Sequence, residues 1–556
     1  MNRKIQTFGD GDSFKFYNFK CLFSLRVPFS PYLEIVSIIY ITIPNLIFFL
    51  TWTRPLIAYP VSLLILAATV QVVRRLWREK GAVTNAVPAT ISIPMLLTYI
   101  LGLTIWVYIS GIGGFFYQNG DYLKHNTLLY DLAHSDWPVT YVGSISEKVY
   151  PLVYYLAYYL PPALIEKYIN LATSEWFLLD WSILGVLLSL LWLAKLSKKA
   201  TISTLVFMIF FSGQDFIGHW IFKGQIPLDW AEHLEWWAGL WSFSSNTTML
   251  FWVPHQMIPG WLITAYILDQ VFEKREVSDL FYVSSLSIMW SCFVALGLLP
   301  YVLVAAVLFY KRSIFSFANI ISFLLLVPIL GFYFLSTNPY QAGAWFINFI
   351  PLLKFLTLAV VFIFLEIGVY FLFVPKVFSD WRSLLHERIY IPLSFVLVFA
   401  VLFYRFGEFN DFAMRVSIPP TIILIIVLWR HIPPLRIWYR TVWCYLFIIL
   451  FGLGAICPIH EMYRSIKNSN FVIPYYSIVF HGRRYVHLMA QYFGKNDTFF
   501  YKHVVKPVNA GYRRERDLTA KNYHYSDFQG SGDKIQILPP DVDRSLDLFW
   551  QSRSKR

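Results

Sequence analysis

About thirteen strongly apolar stretches, most of them long enough to cross a bilayer or nearly so, leave this chain few ways to fold. They run over 32–51, 56–73, 91–112, 176–196, 202–222, 257–272, 280–296, 299–310, 315–335, 350–374, 391–404, 421–429 and 443–456. In hydrocarbon each backbone N–H and C=O must find its partner within the protein, so such runs fold as helices packed on one another. The expectation is an all-α integral membrane protein of about 13 transmembrane helices joined by loops, with a small extramembrane tail at the C-terminus.

Composition agrees. The 556 residues are 57% hydrophobic and only 14% charged, with a mean hydropathy of +0.53, more apolar surface than a soluble domain hides from water. Aromatic residues make up 19% of the chain, and many Trp and Tyr fall near segment ends, where an amphipathic ring suits the membrane interface. The formal charge of +13 would suggest nucleic acid in a soluble protein. Here Lys and Arg sit in short loops and the tail, so topology and anionic lipid account for them and nucleic acid is not expected as a partner. Cys292, Cys444 and Cys457 lie in or beside apolar segments without metal-ligand spacing and read as packing residues. The polar N-terminus lacks the pattern of a cleaved signal peptide, so the first apolar segment is expected to direct insertion.

Basic clusters at 74–80, 196–199, 273–275, 310–312 and 430–440 fall in alternate loops and favour the cytoplasmic side. That assigns 1–31 to a cytoplasmic segment, 32–458 to the membrane domain, and 113–150, 223–251, 336–349 and 405–419 to outer loops. The tail 459–556 is then outside. The localisation expected from the runs is a membrane crossed many times. Segment 152–165, with Pro161-Pro162, reads as an interfacial or partly inserted helix, or as an ordinary span bent by proline. No internal repeat is evident.

The candidate chemistry gathers at the outer loops. The stretch IGGFFYQNGDYLKHNTLLYDLAHSDWPV brings Asp121, His125, Asp131 and Asp136 between two apolar segments. If helical, it puts Asp121 and His125 on one face with Lys124 beside them. A carboxylate there can take a proton from a substrate hydroxyl while the imidazole orients it or stabilises a departing anion. The plainer reading is a hydrated loop whose acids cap helices. Asp131 is a weaker candidate for contact with substrate, and Asp136 suits a turn before Trp137-Pro138. SGQDFIGHW places Asp215 and His219 four apart within an apolar span, facing a cavity or joining helices.

The stretch DWAEHLEWWAGLWSFSSNTTMLFWVPHQMIPGW adds Asp229, Glu232, His233, Glu235, His255 and Gln256 among tryptophans. That mixture suits a sugar, stacked on rings and held by acids, though the tryptophans alone fit an interfacial belt. Pro254 and Pro259 suggest a broken helix. RFGEFNDFAMRVSIPP offers Arg405, Glu408, Asp411 and Arg415. An arginine there can grip a lipid phosphate, or simply pair with Asp411. No Walker loop, dinucleotide fingerprint, HExxH or nucleophile elbow stands in a convincing context.

Many spans, an acidic large outer loop, further polar outer loops and a C-terminal tail resemble the GT-C class of glycosyltransferases, which draw sugars from polyprenyl-phosphate donors. GGFFYQNGDYLKHN, SGQDFIG, HLEWW, NTTMLFWVPHQMIPGW and NDFAMRVSIPP also look like recurring segments of bacterial multi-span proteins of that shape. The resemblance implies a polyprenyl-phosphate-linked sugar as donor, a glycan, lipid or protein acceptor, and membrane lipid as surroundings, in a bacterial inner membrane. It casts Asp121 as the group that deprotonates or orients the acceptor, and Arg405 or Arg415 as the receiver of the lipid phosphate. His125, Asp215 and Glu235 would shape the sugar pocket. GT-C enzymes carry the acid on the first outer loop, often as a pair, whereas here Tyr122 follows Asp121 and the large loop comes after the third span. A divalent metal ion beside the phosphate is compatible with that chemistry, although no ligand spacing demands one and no cofactor is required. The rival is a transporter or flippase using Asp215, His219 and Glu366; a non-catalytic scaffold is a third reading.

Overall fold

The computed structural model describes residues 25–82, 90–143, 148–169, 173–224, 233–309, 314–337, 343–375, 377, 385–407, 410–433, 435–473, 475, 492–506 and 536–538. The N-terminal 24 residues, the basic residues at 310–312, the acids Asp229, Glu232 and Glu408, and most of the tail lie outside the described residues.

Helices dominate, as apolar runs in a membrane require. In chain order they are α1 (Tyr32–Trp52), α2 (Pro55–Ala82), α3 (Ile93–Tyr108), α4 (Tyr122–His134), α5 (Leu160–Ile169), α6 (Ser174–Ser197), α7 (Ile202–Phe210), α8 (Asp215–Lys223), α9 (Asn246–Trp252), α10 (Pro254–Leu268), α11 (Leu280–Ser285) and α12 (Cys292–Leu308). Then follow α13 (Phe317–Phe334), α14 (Leu352–Phe371), α15 (Leu385–Ala400), α16 (Asp411–Val416), α17 (Ile418–His431) and α18 (Val442–Lys467). Among the described residues seven candidate spans are long and apolar enough to cross a membrane, α7 and α8 counting together as one, and α3, α12, α17 and the stretch Ile389–Phe403 are shorter apolar helices. The protein is an all-α membrane protein by this measure.

Polar atoms and aromatic rings hold the bundle together where lipid supplies no hydrophobic drive between helices. Tyr40 of α1 stacks on Trp181 of α6 at 3.9 Å and donates its hydroxyl to the Trp181 carbonyl at 3.0 Å. Gly185 makes that approach possible, since a Cβ there would stand 2.6 Å from the Tyr40 oxygen. Trp192 donates to Ser37 at 2.9 Å, and Asn45 donates to the Leu286 carbonyl at 3.1 Å. The outward faces stay apolar and exposed, as at Leu56 and Leu63 on α2, Leu97 and Leu101 on α3, and Val442 and Ile449 on α18. Bare apolar stripes of that kind suit contact with lipid.

The structure departs from the run-by-run expectation in three places. The stretch 280–308, expected as two spans meeting near 297, is one short helix, α11, a series of turns and the long helix α12. The run 202–222 is not one helix, because 211–214 unwinds between α7 and α8. In the segment expected as an interfacial helix over 152–165, residues 152–159 are irregular and α5 begins only at Leu160.

Three small sheets tie loops to one another. Strand β1 (Arg26–Pro28) pairs with β2 (Thr90–Ser92), and β3 (Thr140–Gly143) lies between β4 (Val149–Pro151) and β7 (Gln536–Leu538). β5 (Gly343–Trp345) pairs with β6 (Tyr404–Phe406). The parallel β3–β7 register, Tyr141 against Gln536, docks part of the tail on the large loop. Bridges from Phe493 to Leu152, Gly494 to Thr337 and Val505 to Thr53 place the tail and the loops 109–173 and 336–337 at one end of the bundle. The described parts of the basic loops at 74–80, 196–199, 273–275 and 430 meet at the other end. There Glu34 binds Lys195 at 2.6 Å, Lys195 binds Asp269 at 2.7 Å, Lys274 binds Glu79 at 3.1 Å, and Arg75 binds Asp279 at 2.5 Å.

Candidate functional site

At the loop end the chain turns through Gly111 and Gly113, both at positive φ, near +88° and +80°. These left-handed positions favour glycine, and at Gly111 a side chain would also run into the Tyr117 carbonyl. The turn delivers α4, so the stretch that carries His125 is helical from Tyr122 onward. Gln118 and Asn126 fix it. Asn126 donates to Gln118 at 2.9 Å and to the Ile473 carbonyl at 2.8 Å, and Asn119 donates to the Phe251 carbonyl at 2.7 Å. The N-terminal face of α4 is thereby pinned against α9 and the chain after α18.

Asp121 stands just before this helix with 35% of its side chain exposed, and Lys124, 9% exposed, binds it at 3.0 Å. Burial works to raise the Asp121 carboxyl, but Lys124, His125 and Arg415 outweigh it and hold the group below the usual carboxylate range. Arg415, on α16, is 12% exposed and binds Asp411 one turn earlier at 2.8 Å. Its guanidinium also acts electrostatically on Lys124 and on Tyr154 and Tyr155, and its Nε has no hydrogen-bond partner. Two acids and two bases thus share one partly open place, built from α4 and α16, segments about 290 residues apart.

His125 shares this region but is fully engaged. Its Nε2 meets the Trp252 carbonyl at 2.9 Å and its Nδ1 meets the Tyr159 hydroxyl. A carbonyl only accepts, so Nε2 carries the hydrogen and Nδ1 accepts from the tyrosine. Burial, with Lys124 nearby, pushes the imidazole down to about 3, so the ring is neutral at physiological pH. Below it His255 lies 5.2 Å away, ring to ring, within reach of Tyr154, Tyr155, Tyr158 and Tyr159. His255 takes a hydrogen bond from Gln256 at 3.1 Å on Nε2, and its Nδ1 has no partner among the described residues. His233 stacks on Trp252 at 5.3 Å and sits 3.5 Å from Glu461.

A second group of acids lies where α7 gives way to α8. Asp215 opens α8 and accepts from Ser212 at 2.8 Å. Gln214 bridges the break, donating to the Tyr370 hydroxyl at 2.8 Å and the Leu450 carbonyl at 2.9 Å. Facing it, Glu366 sits in a π-helical turn of α14 and accepts from Trp237 at 2.9 Å. Glu235 accepts from the Ser245 N–H at 2.9 Å and from the Cys457 thiol at 3.4 Å. Burial, reinforced by Asp215, pushes the Glu235 carboxyl up to about 8. His219 follows Asp215 by one turn on α8 and is buried.

The expected residues therefore divide. Asp121, His125, His255, Gln256, Asp411 and Arg415 gather around the first cluster, and Asp215 and Glu235 belong to the second. His233 lies between them, touching Glu461 and acting electrostatically with Asp121. Asp131, more than two turns along α4, accepts from the Tyr141 hydroxyl at 2.7 Å and fastens the helix to β3. Arg405 stands exposed on β6 and donates to the Gly407 carbonyl at 3.4 Å; the arginine that acts on Asp121 is Arg415.

Sequence reasoning passed over the tyrosines of VYYLAYYL, Glu461 and Cys457 as site residues. The dense tyrosine run was the available signal, since four phenols within six residues exceed what an interfacial anchor needs. No protein-family model matches this chain, and no curated protein or solved structure matches it.

Proposed function

We propose that the protein is a membrane glycosyltransferase that moves a sugar from a polyprenyl phosphate to an acceptor hydroxyl, with the loop end of the bundle outside the cell and the basic end in the cytoplasm. About thirteen crossings of a bacterial inner membrane accord with the apolar runs, and the basic loops meeting at one end accord with that orientation.

The observation that carries the reading is Arg415. Its guanidinium is nearly buried, leaves Nε unpartnered, and is held close to a second cation, Lys124, and to the partly exposed Asp121. Two nearly buried cations held together favour an anionic phosphate at the membrane surface, singly charged in the diester donor and doubly charged in the monoester that leaves. Arg415 and Lys124 would hold the phosphate oxygens, and Asp121 would take the acceptor proton. As the acceptor oxygen bonds to the anomeric carbon, the bond from that carbon to the phosphate oxygen breaks, and polyprenyl phosphate leaves with the electron pair. Asp121 is a weak base while both cations act on it. A phosphate bound to them withdraws part of their pull and makes the carboxylate more basic when the donor is in place. His125, neutral and locked by two hydrogen bonds, positions α4 against α9 and does not exchange a proton in this scheme.

The test uses the full chain in lipid vesicles with a polyprenyl phosphate bearing a radiolabelled hexose or pentose, and follows label into glycan, lipid and protein fractions. Asp121→Asn is expected to lower transfer by about 10²–10⁴-fold, the usual share of a general base, with insertion unchanged. Full turnover in that variant removes the base from the scheme.

One observation favours a carrier instead: Asp215 and Glu366 lie deep in the bundle at a helix break and a π-turn, a place where transporters keep coupling groups. Movement of the labelled donor across the vesicle membrane without loss of its sugar would select that reading.

A further inference from the structure

We propose that Asp215, Glu235 and Cys457 form a binding site for one divalent cation of the thiolate-accepting, zinc-like class, with Glu366 and Ser212 holding Asp215 in place. The proposal does not depend on what the outer cluster transfers or carries.

Four parts of the chain converge here for no evident packing reason. The unwound 211–214 exposes the start of α8, a short helical turn carries Glu235, α14 bulges at Glu366, and α18 brings Cys457. Gly454, one turn before Cys457, lets α18 close on the break, because a Cβ there would stand 2.5 Å from the Tyr370 hydroxyl and 2.8 Å from the Ser212 carbonyl. Gly213 similarly leaves room for the Glu366 carboxylate. One ligand atom from each of Asp215, Glu235 and Cys457 lies within 4.8 Å of the others, and all three residues are buried.

Acids crowded together do not make a site, but these have unused valences. Glu235 Oε2 has no hydrogen-bond partner among the described residues, and Asp215 Oδ1 has none apart from the neighbouring Glu366 carboxyl, although both side chains are fully buried. A buried carboxylate oxygen without a donor costs free energy unless a proton or a cation meets it. The charged groups that act most strongly on Glu235 are themselves acidic, Asp215 and Glu461.

A divalent ion meets both oxygens. Cys457 gives up its thiol proton to solvent on binding, so two carboxylates and a thiolate carry three negative charges against the ion's two and the loaded site keeps a single negative charge. Glu366, protonated and donating to Asp215 while its Oε1 accepts from the Trp237 N–H, and the Ser212 hydroxyl then fix the orientation of that ligand, as outer partners do in metal sites. The sulfur decides the class of ion. Calcium and magnesium take oxygen ligands, whereas zinc and cobalt accept a thiolate beside carboxylates in a four-coordinate site.

The experiment takes the full chain in lipid nanodiscs, strips it with chelator, and titrates it with cobalt(II) as a spectroscopic probe, with metal content measured by atomic emission. The expected result is one ion per chain with a sulfur-to-cobalt charge-transfer band, which Cys457→Ser abolishes. Glu235→Gln is expected to weaken binding by about a hundredfold, and Glu366→Gln by about tenfold, the range seen for outer partners. Because Cys457→Ser could disturb α18, X-ray absorption on the unaltered protein gives a second reading, with one sulfur expected at about 2.3 Å from the metal. Absence of stoichiometric uptake, uptake without sulfur at the metal, or a band that survives in Cys457→Ser would each overturn the site.

Discussion

The two ends of the bundle treat buried charge in opposite ways. At the basic end every carboxylate of the network meets a cation: Glu34 and Asp269 share Lys195, Glu79 shares Lys274 with them, and Arg75 lies between Glu79 and Asp279. Towards the loop end, Asp215, Glu235 and Glu366 crowd together while carboxylate oxygens go unmatched, and Arg415 keeps a spare N–H donor beside Lys124. Single atoms lack a hydrogen-bond partner at the basic end too, Glu34 Oε2, Asp279 Oδ1 and Arg75 Nε among them, but there each carboxylate has a cation, and the network clamps α1, α2, α6 and the loop after α10. The loop-end arrangement is complete only with something added, which is why function is placed there. The basic end is not featureless: a groove of about 680 Å³ opens beside Arg74, Arg75 and Arg78. Its charges are nonetheless paired or in solvent.

The contrast breaks most readily at Lys195. Replacing it by Met leaves Glu34 and Asp269 buried with only the more distant Lys274, and a loss of about 3–5 kcal/mol is expected from the usual result of removing one partner of a buried pair. Reversible unfolding in mixed micelles measures it, and a loss under about 1 kcal/mol would mean that the network is hydrated and structurally idle.

A smaller effect concerns pH. His125 titrates near 3 in the folded protein and near 6.5 when unfolded. Between those values the unfolded chain binds the extra proton, so stability falls as pH drops through that window and is restored above it. From pH 6.5 to 5 the expected loss is about 2 kcal/mol, and His125→Gln should flatten the slope. An unchanged slope in that variant would assign the acid sensitivity elsewhere.

The smallest effect has the opposite sign and sharpens the comparison most. In metal-free protein Asp215→Asn removes one charge from an acidic group without cations, and a gain of about 1 kcal/mol is expected. With a divalent ion present the same change should cost stability, since a ligand is lost. A loss in both conditions would make Asp215 a structural hydrogen-bond acceptor of Ser212 and no more.

Much of the fold could be read from the residues, because span-forming runs such as 32–51 and 176–196 can satisfy their backbones only as helices, and α1 and α6 match them within two residues. The break at 211–214 could not, since hydropathy continues through Phe211 and tertiary partners hold the unwound turn, Tyr370 and Leu450 on the Gln214 side chain and Leu365 on its N–H. The stretch 280–308 was redrawn as well, because the serines at 284, 285, 287 and 291 that accompany the turns are common inside membrane helices and do not by themselves mark a break. For the site, Asp121, Lys124 and His125 were visible as neighbours on a helix face. The choice of Arg415 over Arg405 was not, because it depends on which residue faces inward from a short loop. Cys457 read as packing because metal spacing is a local pattern, and its partners Glu235 and Asp215 lie more than 200 residues away.

The account rests on a phosphate reaching the pair Lys124 and Arg415 from the lipid side. Cryo-electron microscopy of the full chain in nanodiscs containing a polyprenyl phosphate tests this directly. Density for the headgroup between those two cations, with Asp121 beside it and the tail running into lipid, is the predicted result. Headgroup density in the groove beside Arg74 and Arg78, with the loop-end cluster unchanged, would contradict it.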